Sequence, residues 1–275
     1  MHHDLTPHRI ADETYLVPGR LDGGGESPYA VQLNSMVIRG RQPVIVDTGA
    51  PINRDHHVQQ IFGLVDPADV RWVFVSHEDI DHAGNVDTIL AACPAATLAT
   101  SWLAMMHLVA AGVSIPPDRW RPIADGDVVD IGDRVLVVER PPLYDSPATF
   151  GLFDTETDVI WAADCFASAS SAHALDGSDV DDREWRHGFV EFQQWHSPWI
   201  EGIDGRWWNH VVDRLAARRP QAIASCHGPV LRGAQIATAI ALLRELPEFP
   251  ARRRPEQATL DELLTRPDCR QAGAS

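Results

Sequence analysis

The stretch at residues 73–85, VFVSHEDIDHAGN, constrains the fold of this chain more than any other part of its sequence. It begins as an apolar, β-branched run of the kind that forms a buried strand, and it then becomes polar. Four side chains that can bind metal ions follow within six positions, namely His77, Asp79, Asp81 and His82. The pattern predicts a strand that carries a metal-binding loop to the end of a sheet.

Other apolar runs also end at a residue that can bind metal or support a metal site. Asp47 follows the run PVIV, Asp164 follows VIWAA, and His227 follows AIASC, while Asp145 lies in the segment PPLYDSPATF. A lone buried carboxylate is strongly disfavoured, so Asp164 needs a partner, which a pair of metal ions would provide. Because loops beyond strand ends form sites on α/β scaffolds, we expect these side chains to meet at one edge of the fold.

Length and charge limit the organisation and the partners of the chain. A chain of 275 residues can form one large domain, which we expect at residues 1–248, with a linker and a short helix at 249–275. The 39 acidic and 23 basic residues give a net charge of −16. Such a surface should repel phosphate backbones and anionic lipids, so we expect neither nucleic acid nor a membrane as a partner.

Two further features predict a cytoplasmic protein with reduced thiols. No segment has the length of a membrane span or the layout of a signal peptide. The cysteines form no CxxC pair, which argues against a disulfide framework and a thiolate zinc site. They are Cys93, Cys165, Cys226 and Cys269.

Helical periodicity and turn signals predict helices at residues 53–64, 86–92, 101–111, 203–217 and 233–246. His56 and His57 belong to the first of these helices, and we expect both to be exposed. Residues 167–198 are expected to form helices over the mouth of the site. The sequence does not decide whether His173, His187 or His196 in this stretch faces the metals.

In their order along the chain, these segments resemble the metallo-β-lactamase-fold superfamily, whose loop His-x-His-x-Asp-His supplies ligands to two metals. In this chain Asp79 takes the place of the second histidine of that loop. A carboxylate at this position resembles the flavodiiron branch, in which a non-haem diiron centre has His-x-Glu-x-Asp-His. The resemblance implies an α/β (α+β) fold, a four-layer αββα sandwich.

The resemblance also implies a ligand set. His77, Asp79 and Asp145 would bind one metal, Asp81, His82 and His227 the other, and Asp164 both. Asp47 would orient the loop, or it could simply form an Asp-x-Gly turn. Asp164 could cap a helix instead of binding metal. The superfamily has a histidine where this chain has Asp145, which could bind a metal, cap the following turn or hold a water.

The carboxylate at position 79 favours iron or manganese over zinc. We therefore expect a diiron oxidoreductase that binds or reduces dioxygen or a similar small oxidant. Because the chain lacks the flavodoxin domain of flavodiiron proteins, a separate electron donor is expected, and a homo-oligomer is compatible with the sequence. Two alternatives stay open: a diiron oxygen sensor without turnover, and a dinuclear zinc hydrolase of an ester, thioester or lactone.

Overall fold

The structure is a computed structural model that describes residues 5–22, 30–169, 174–251, 256–258 and 261. His173, Cys269 and most of the segment expected at 249–275 lie outside the described residues. The domain boundary at residue 248 therefore stays a prediction.

The first half of the described chain forms a seven-stranded sheet and a separate hairpin. The strands are β1 (His8–Ala11), β2 (Thr14–Val17), β3 (Arg20–Asp22), β4 (Ala30–Gln32), β5 (Ser35–Ile38), β6 (Val44–Val46), β7 (Trp72–Phe74), β8 (Thr97–Ser101) and β9 (Trp120–Ile123). The sheet has the order β1-β2-β5-β6-β7-β8-β9, and β3 pairs with β4. From β6 to β9 the strands are parallel, so their carboxyl ends lie at the same edge.

The second half forms a six-stranded sheet. Its strands, which are neighbours in chain order, are β10 (Val128–Asp130), β11 (Val135–Glu139), β12 (Gly151–Asp154), β13 (Val159–Trp161), β14 (Ala222–Ala224) and β15 (Leu231–Arg232). The pair β13 and β14 is parallel, and the other pairs are antiparallel. The carboxyl ends of β13 and β14 therefore also share one edge.

Helices cover the outer face of each sheet. They are α1 (Arg54–Leu64), α2 (Ile80–Ala83), α3 (Val86–Ala92), α4 (Trp102–Ala110), α5 (Asp182–His196), α6 (Gly205–Ala217) and α7 (Ala234–Glu245). Side chains cap several of them: Asp181 accepts hydrogen bonds from the first turn of α5, and Asp204 does so for α6. These caps explain why α5 and α6 begin where they do. The acidic stretch before α5 has no clear helical periodicity of its own.

Alternation along the strands divides the core into three layers. In β7, Val73 packs against α1 and α3, whereas Phe74 packs between the two sheets. In β13, Trp161 also lies between the sheets, and Ile160 faces the layer that contains α5, α6 and α7. The order of layers is helix, sheet, sheet, helix, which confirms the predicted αββα sandwich.

One detail of the first helix differs from the expectation. His56 is exposed as predicted, but His57 is buried, with 1% of its surface exposed, and its Nε2 lies 2.8 Å from Ser35 Oγ. The prediction that His57 is exposed is therefore wrong. His57 and Ile61 are the buried residues of α1, and their spacing of four positions is that of one helix face.

Candidate metal centre

The side chains predicted to bind metal come together at the edge where β7, β13 and β14 end. His77, Asp79, Asp81 and His82 follow β7, Asp164 follows β13, and His227 follows β14. Asp145 joins them from the loop between β11 and β12. Groups whose potential ligand atoms lie within 4.8 Å of one another include His77, His82 and Asp164, then His77, Asp79 and Asp145, and also Asp81, His82, Cys226 and His227.

Asp164 lies at the centre of this cluster. Its Oδ2 is 3.2 Å from His77 Nε2, and its Oδ1 is 2.9 Å from His82 Nε2 and 3.1 Å from His227 Nε2. The side chain is 3% exposed. One carboxylate therefore faces imidazoles of both proposed metal positions, as a bridging ligand would.

Asp47 holds the loop after β7 from behind. Its Oδ1 accepts a hydrogen bond from Ser76 N at 2.7 Å, and its Oδ2 accepts from Ser76 Oγ at 2.9 Å and from Trp161 Nε1 at 3.0 Å. His82 Nδ1 lies 2.9 Å from the same Oδ2. Because a carboxylate accepts only, the His82 proton lies on Nδ1 and Nε2 is left to face the cluster.

Main-chain contacts orient His227 in the same way. Its Nδ1 donates to the carbonyl of Gln32 at 2.8 Å, which leaves Nε2 to face Asp81 and Asp164. Asn34 Nδ2 donates to the carbonyls of Ser225 and Gly228 on either side of the histidine. The Asn34 side chain thus holds the turn that presents His227.

The two aspartates of the loop have different surroundings. Asp81 Oδ2 is 3.2 Å from His227 Nε2, and this contact helps to hold the pKa of Asp81 below its ordinary value despite partial burial. Asp79 lies at the rim, with its side chain 50% exposed and Oδ2 3.9 Å from His77 Nε2. Burial and the nearby Asp145 raise the pKa of Asp79.

Asp145 approaches the cluster and also caps its own turn. Oδ1 accepts from Ser146 N at 2.7 Å and lies 3.7 Å from His77 Nε2, while Oδ2 lies 3.5 Å from His196 Nδ1. This one conformation is compatible with two of the three roles considered for Asp145, metal ligand and turn cap.

The buried polar atoms of the cluster fit a bound cation. Asp164 Oδ1 and Oδ2, His77 Nε2 and His82 Nε2 are all buried and have no hydrogen bond within the described part of the chain. Leaving such atoms unpaired costs about 1–3 kcal/mol each, more where a charge is involved. Imidazole nitrogens and carboxylate oxygens that converge in this way can be satisfied together by metal ions.

The charges of the cluster lead to the same conclusion. Burial opposes ionisation of Asp164, but His82 and His77 hold its pKa well below the ordinary value. Burial also opposes charge on His82 and His227, yet Cys226 and the carboxylates raise the pKa of both imidazoles well above the ordinary value. The carboxylates therefore favour positive charge at the imidazoles, and bound metal cations would provide that charge.

Three contributors were not assigned from the sequence. Trp161 supports Asp47, Cys226 lies beside Asp81 and His82 while packing in the core between the sheets, and His196 approaches Asp145. A signal for His196 exists in the sequence, because Trp185, Phe189 and His196 recur at helical spacing on one face of α5. His187 lies away from the site, with its side chain 59% exposed beside Glu191.

Comparisons with known proteins agree with this architecture. A family model described as ODP family beta lactamase matches residues 31–228. The putative diflavin flavoprotein A 2 of Nostoc sp. is 29% identical over 201 residues, which cover 72% of this chain and 33% of that protein. The anaerobic nitric oxide reductase flavorubredoxin of Salmonella arizonae is 25% identical over 202 residues, covering 72% of this chain and 41% of that protein.

A solved structure shares the fold. Rubredoxin oxygen:oxidoreductase from Desulfovibrio gigas has a TM-score of 0.76 at 18% identity, and the match covers 88% of this chain and 62% of that one. The chain spans about a third of the length of the diflavin flavoproteins that it matches. None of the helices in the described residues combines the length and apolarity that crossing a bilayer requires.

Proposed function

The chain belongs to the ODP family of beta lactamases, and from this premise we propose that it holds a dinuclear iron centre that binds or reduces dioxygen or a similar small oxidant. The proposed ligands are His77, Asp79, Asp81, His82, Asp145, Asp164 and His227. When bound, a reduced iron pair supplies electrons and open coordination positions for such a molecule.

The observation that carries the proposal is the convergence of buried imidazole nitrogens on the unpaired oxygens of Asp164. Imidazole nitrogens of His77, His82 and His227 lie between 2.9 and 3.2 Å from its two oxygens. These atoms come from the ends of three different strands, and each imidazole has its other nitrogen directed to a fixed partner. A preorganised set of this kind supports metal binding.

Ligand chemistry supports iron. Four of the seven proposed ligands are aspartates, and hard carboxylate donors stabilise the higher oxidation states that redox chemistry needs and hydrolysis does not. The relatives support a redox role as well, since they include proteins named as a nitric oxide reductase and a rubredoxin oxygen:oxidoreductase. Manganese or zinc remain the alternative metals of the same set.

The rim of the centre reaches solvent at Asp79. Asp79 is half exposed, so it connects the buried ligands with solvent. Beside it, Glu78 Oε1 accepts from Ser146 Oγ at 3.1 Å and lies 2.5 Å from His107 Nδ1. These contacts hold the loop after β7 against the Asp145 loop and place a titratable pair at the entrance.

Reducing equivalents must come from outside the described residues, because these form the αββα layers and contain no second domain. We include a separate electron-donor protein in the proposal for this reason. A non-catalytic oxygen sensor would share the metal centre and would differ in showing no sustained consumption of oxygen.

The test is reoxidation of the iron-loaded protein. Protein loaded with ferrous iron without oxygen and then exposed to air should change its visible absorption rapidly, and zinc-loaded protein should show no change. Sustained oxygen consumption with an artificial electron donor separates an oxidoreductase from a sensor. Efficient hydrolysis of esters or lactones by the zinc form, with a reduced iron form that ignores oxygen, would overturn the redox proposal.

A variant at position 79 tests the basis for iron. Asp79→His replaces a carboxylate with an imidazole and should shift the metal bound from a mixture of ferrous iron and zinc toward zinc. Exposed Asp69, which lies before β7 whereas the ligand loop follows this strand, provides the control Asp69→His. Unchanged selectivity in Asp79→His would show that this carboxylate does not select the metal.

A further inference from the structure

We propose that His196, at the carboxyl end of α5, is an additional ligand of the metal held by His77, Asp79 and Asp145. The inference rests on the proposed metal centre and goes beyond it, because α5 is outside the strand ends that supply the other ligands. It also gives α5 a role, since metal binding would tie this helix to the sheets.

The position of His196 suits coordination. Its Nδ1 lies 3.5 Å from Asp145 Oδ2, and a ligand atom of His196 lies within 4.8 Å of the carboxylates of both Asp145 and Asp164. Two donors that bind one metal at about 2.0–2.2 Å lie no more than about 4.4 Å apart. The observed separations thus require only small side-chain adjustments.

The nitrogen that faces Asp145 is otherwise unpaired. His196 Nδ1 is buried and makes no hydrogen bond within the described residues, although the side chain as a whole is 27% exposed. A buried ring nitrogen beside two carboxylates, aimed into a cluster of metal-binding residues, has the surroundings of a ligand.

The ring is held in place by its own helix. Phe192, one turn earlier, stacks on His196 with a centroid distance of 4.2 Å and an interplanar angle of 13°. Phe192 also contacts the ring of His227 at 5.4 Å. The stacked pair therefore lies across the mouth of the cluster, with the imidazole on the Asp145 side.

Hydrogen bonds attach the end of α5 to the ligand segments. Gln193 Nε2 donates to the carbonyls of Asp164 and Ala167, each at 3.1 Å. Ser197 Oγ and Trp199 Nε1 donate to the carbonyl of Tyr144 at 3.1 and 2.8 Å. The residues on both sides of His196 are thus bound to the segments that carry Asp164 and Asp145, which fixes the position of the imidazole relative to both.

The composition of the ligand set provides a further argument. Of the two proposed metals, one would have two imidazoles, from His82 and His227, whereas the other would have His77 alone. His196 would give this metal a second imidazole, from a different part of the chain.

The experiment compares His196→Gln with His187→Gln. Glutamine can still donate a hydrogen bond to Asp145 but is a poor metal ligand, and His187 is an exposed histidine on the same helix. We expect His196→Gln to weaken binding of one of two cobalt(II) or ferrous ions by about tenfold or more. Pulsed electron paramagnetic resonance of the cobalt form should show fewer coordinated imidazole nitrogens, with His187→Gln unchanged.

A second variant covers the case in which His196→Gln disturbs the helix. His196→Gly leaves a space for free imidazole, and added imidazole should restore both the affinity and the nitrogen signal. Wild-type affinity and an unchanged nitrogen signal in His196→Gln would overturn this inference and leave the metal centre intact. A wild type that binds no pair of metals would overturn the proposed function and, with it, the inference.

Discussion

At the scale of single residues, the site depends on carboxylates that serve different partners. Asp47 is fully buried and receives donors from Ser76, His82 and Trp161, so its role is to fix protein groups. Asp164 is nearly as buried but has no hydrogen bond from the described residues to either oxygen. Asp47 and Asp164 both follow strands, but the difference in their hydrogen bonding indicates different roles.

The change Asp47→Asn tests the role of the supporting carboxylate. An amide cannot accept on its nitrogen, so it would leave some of the donors unpaired, and we expect destabilisation of about 3–5 kcal/mol. Metal affinity should fall by about 10–100-fold, because His82 loses its orienting partner. Asp47 has a φ of 56°, a conformation that asparagine also adopts, so the backbone should be retained.

Urea unfolding and metal titration measure these two effects. The control is Asp69→Asn at an exposed position, where surface substitutions usually change stability by less than about 0.5 kcal/mol. Full metal affinity in a folded Asp47→Asn variant would contradict the orienting role.

The change Asp164→Asn tests the bridge. An amide keeps the shape of the side chain but has neither the charge nor the second strong donor oxygen that a bridging ligand needs, so both metal sites should weaken together. Metal content after purification is the measurement, again with Asp69→Asn as control. Retention of two full equivalents with unchanged affinity would rule out the bridge.

At the scale of elements, α1 contains a titratable group in its buried face. Burial lowers the pKa of His57 to about 4 from its ordinary value of 6.5, and its Nε2 contacts Ser35 Oγ on β5. The native protein thus keeps this imidazole neutral between these pH values, while the unfolded chain binds a proton. Stability that depends on His57 is complete above about pH 6.5 and decreases as the pH falls to about 4.

The variant His57→Gln should reduce this pH dependence. Between about pH 6.5 and about pH 4 the variant should lose less unfolding free energy than the wild type, by up to about 3 kcal/mol. Urea unfolding at a series of pH values measures it, and His56→Gln, at the exposed neighbouring position, should change the slope much less, because burial is the main cause of the lowered His57 pKa and the charge on His56 a lesser one. Parallel pH profiles for all three proteins would show that His57 does not titrate in this way.

At the scale of the whole molecule, the proposed metal centre lies between the two halves of the sandwich. His77, Asp79, Asp81 and His82 follow a strand of the first sheet, whereas Asp145, Asp164 and His227 belong to the second. Several carboxylates meet at this junction, and they repel each other unless positive charge is present. Bound metal should therefore stabilise the association of the halves as well as its own site.

Removal of metal with a chelator should lower the midpoint of thermal unfolding, and addition of ferrous iron without oxygen should restore it. Ligand at 100 times its dissociation constant contributes about 2.7 kcal/mol, which sets the scale of the change. In Asp164→Asn the difference between the metal-loaded and metal-free forms should be smaller. Equal midpoints of the wild type with and without metal would contradict a structural contribution of the centre.

The parts that were predicted correctly from sequence are those set by local patterns. Short apolar runs that are buried along nearly their whole length produced β7, β13 and β14, and helical periodicity produced α3 at residues 86–92 as expected. The metal-binding side chains of the ligand loop lie close together in sequence, from His77 to His82. Such features depend on neighbours along the chain, so they are visible without a structure.

The remaining features depend on which distant segments meet. Burial of His57 follows from the docking of α1 on β5, the support of Asp47 by Trp161 spans both sheets, and His196 reaches Asp145 because the end of α5 is bonded to Tyr144. None of these pairs is close in sequence, and a histidine or tryptophan has the same local pattern with or without its distant partner. Local sequence patterns, and the family resemblance that their order along the chain supports, therefore predicted the fold and the ligand types, while packing between the layers decided which side chains face the centre.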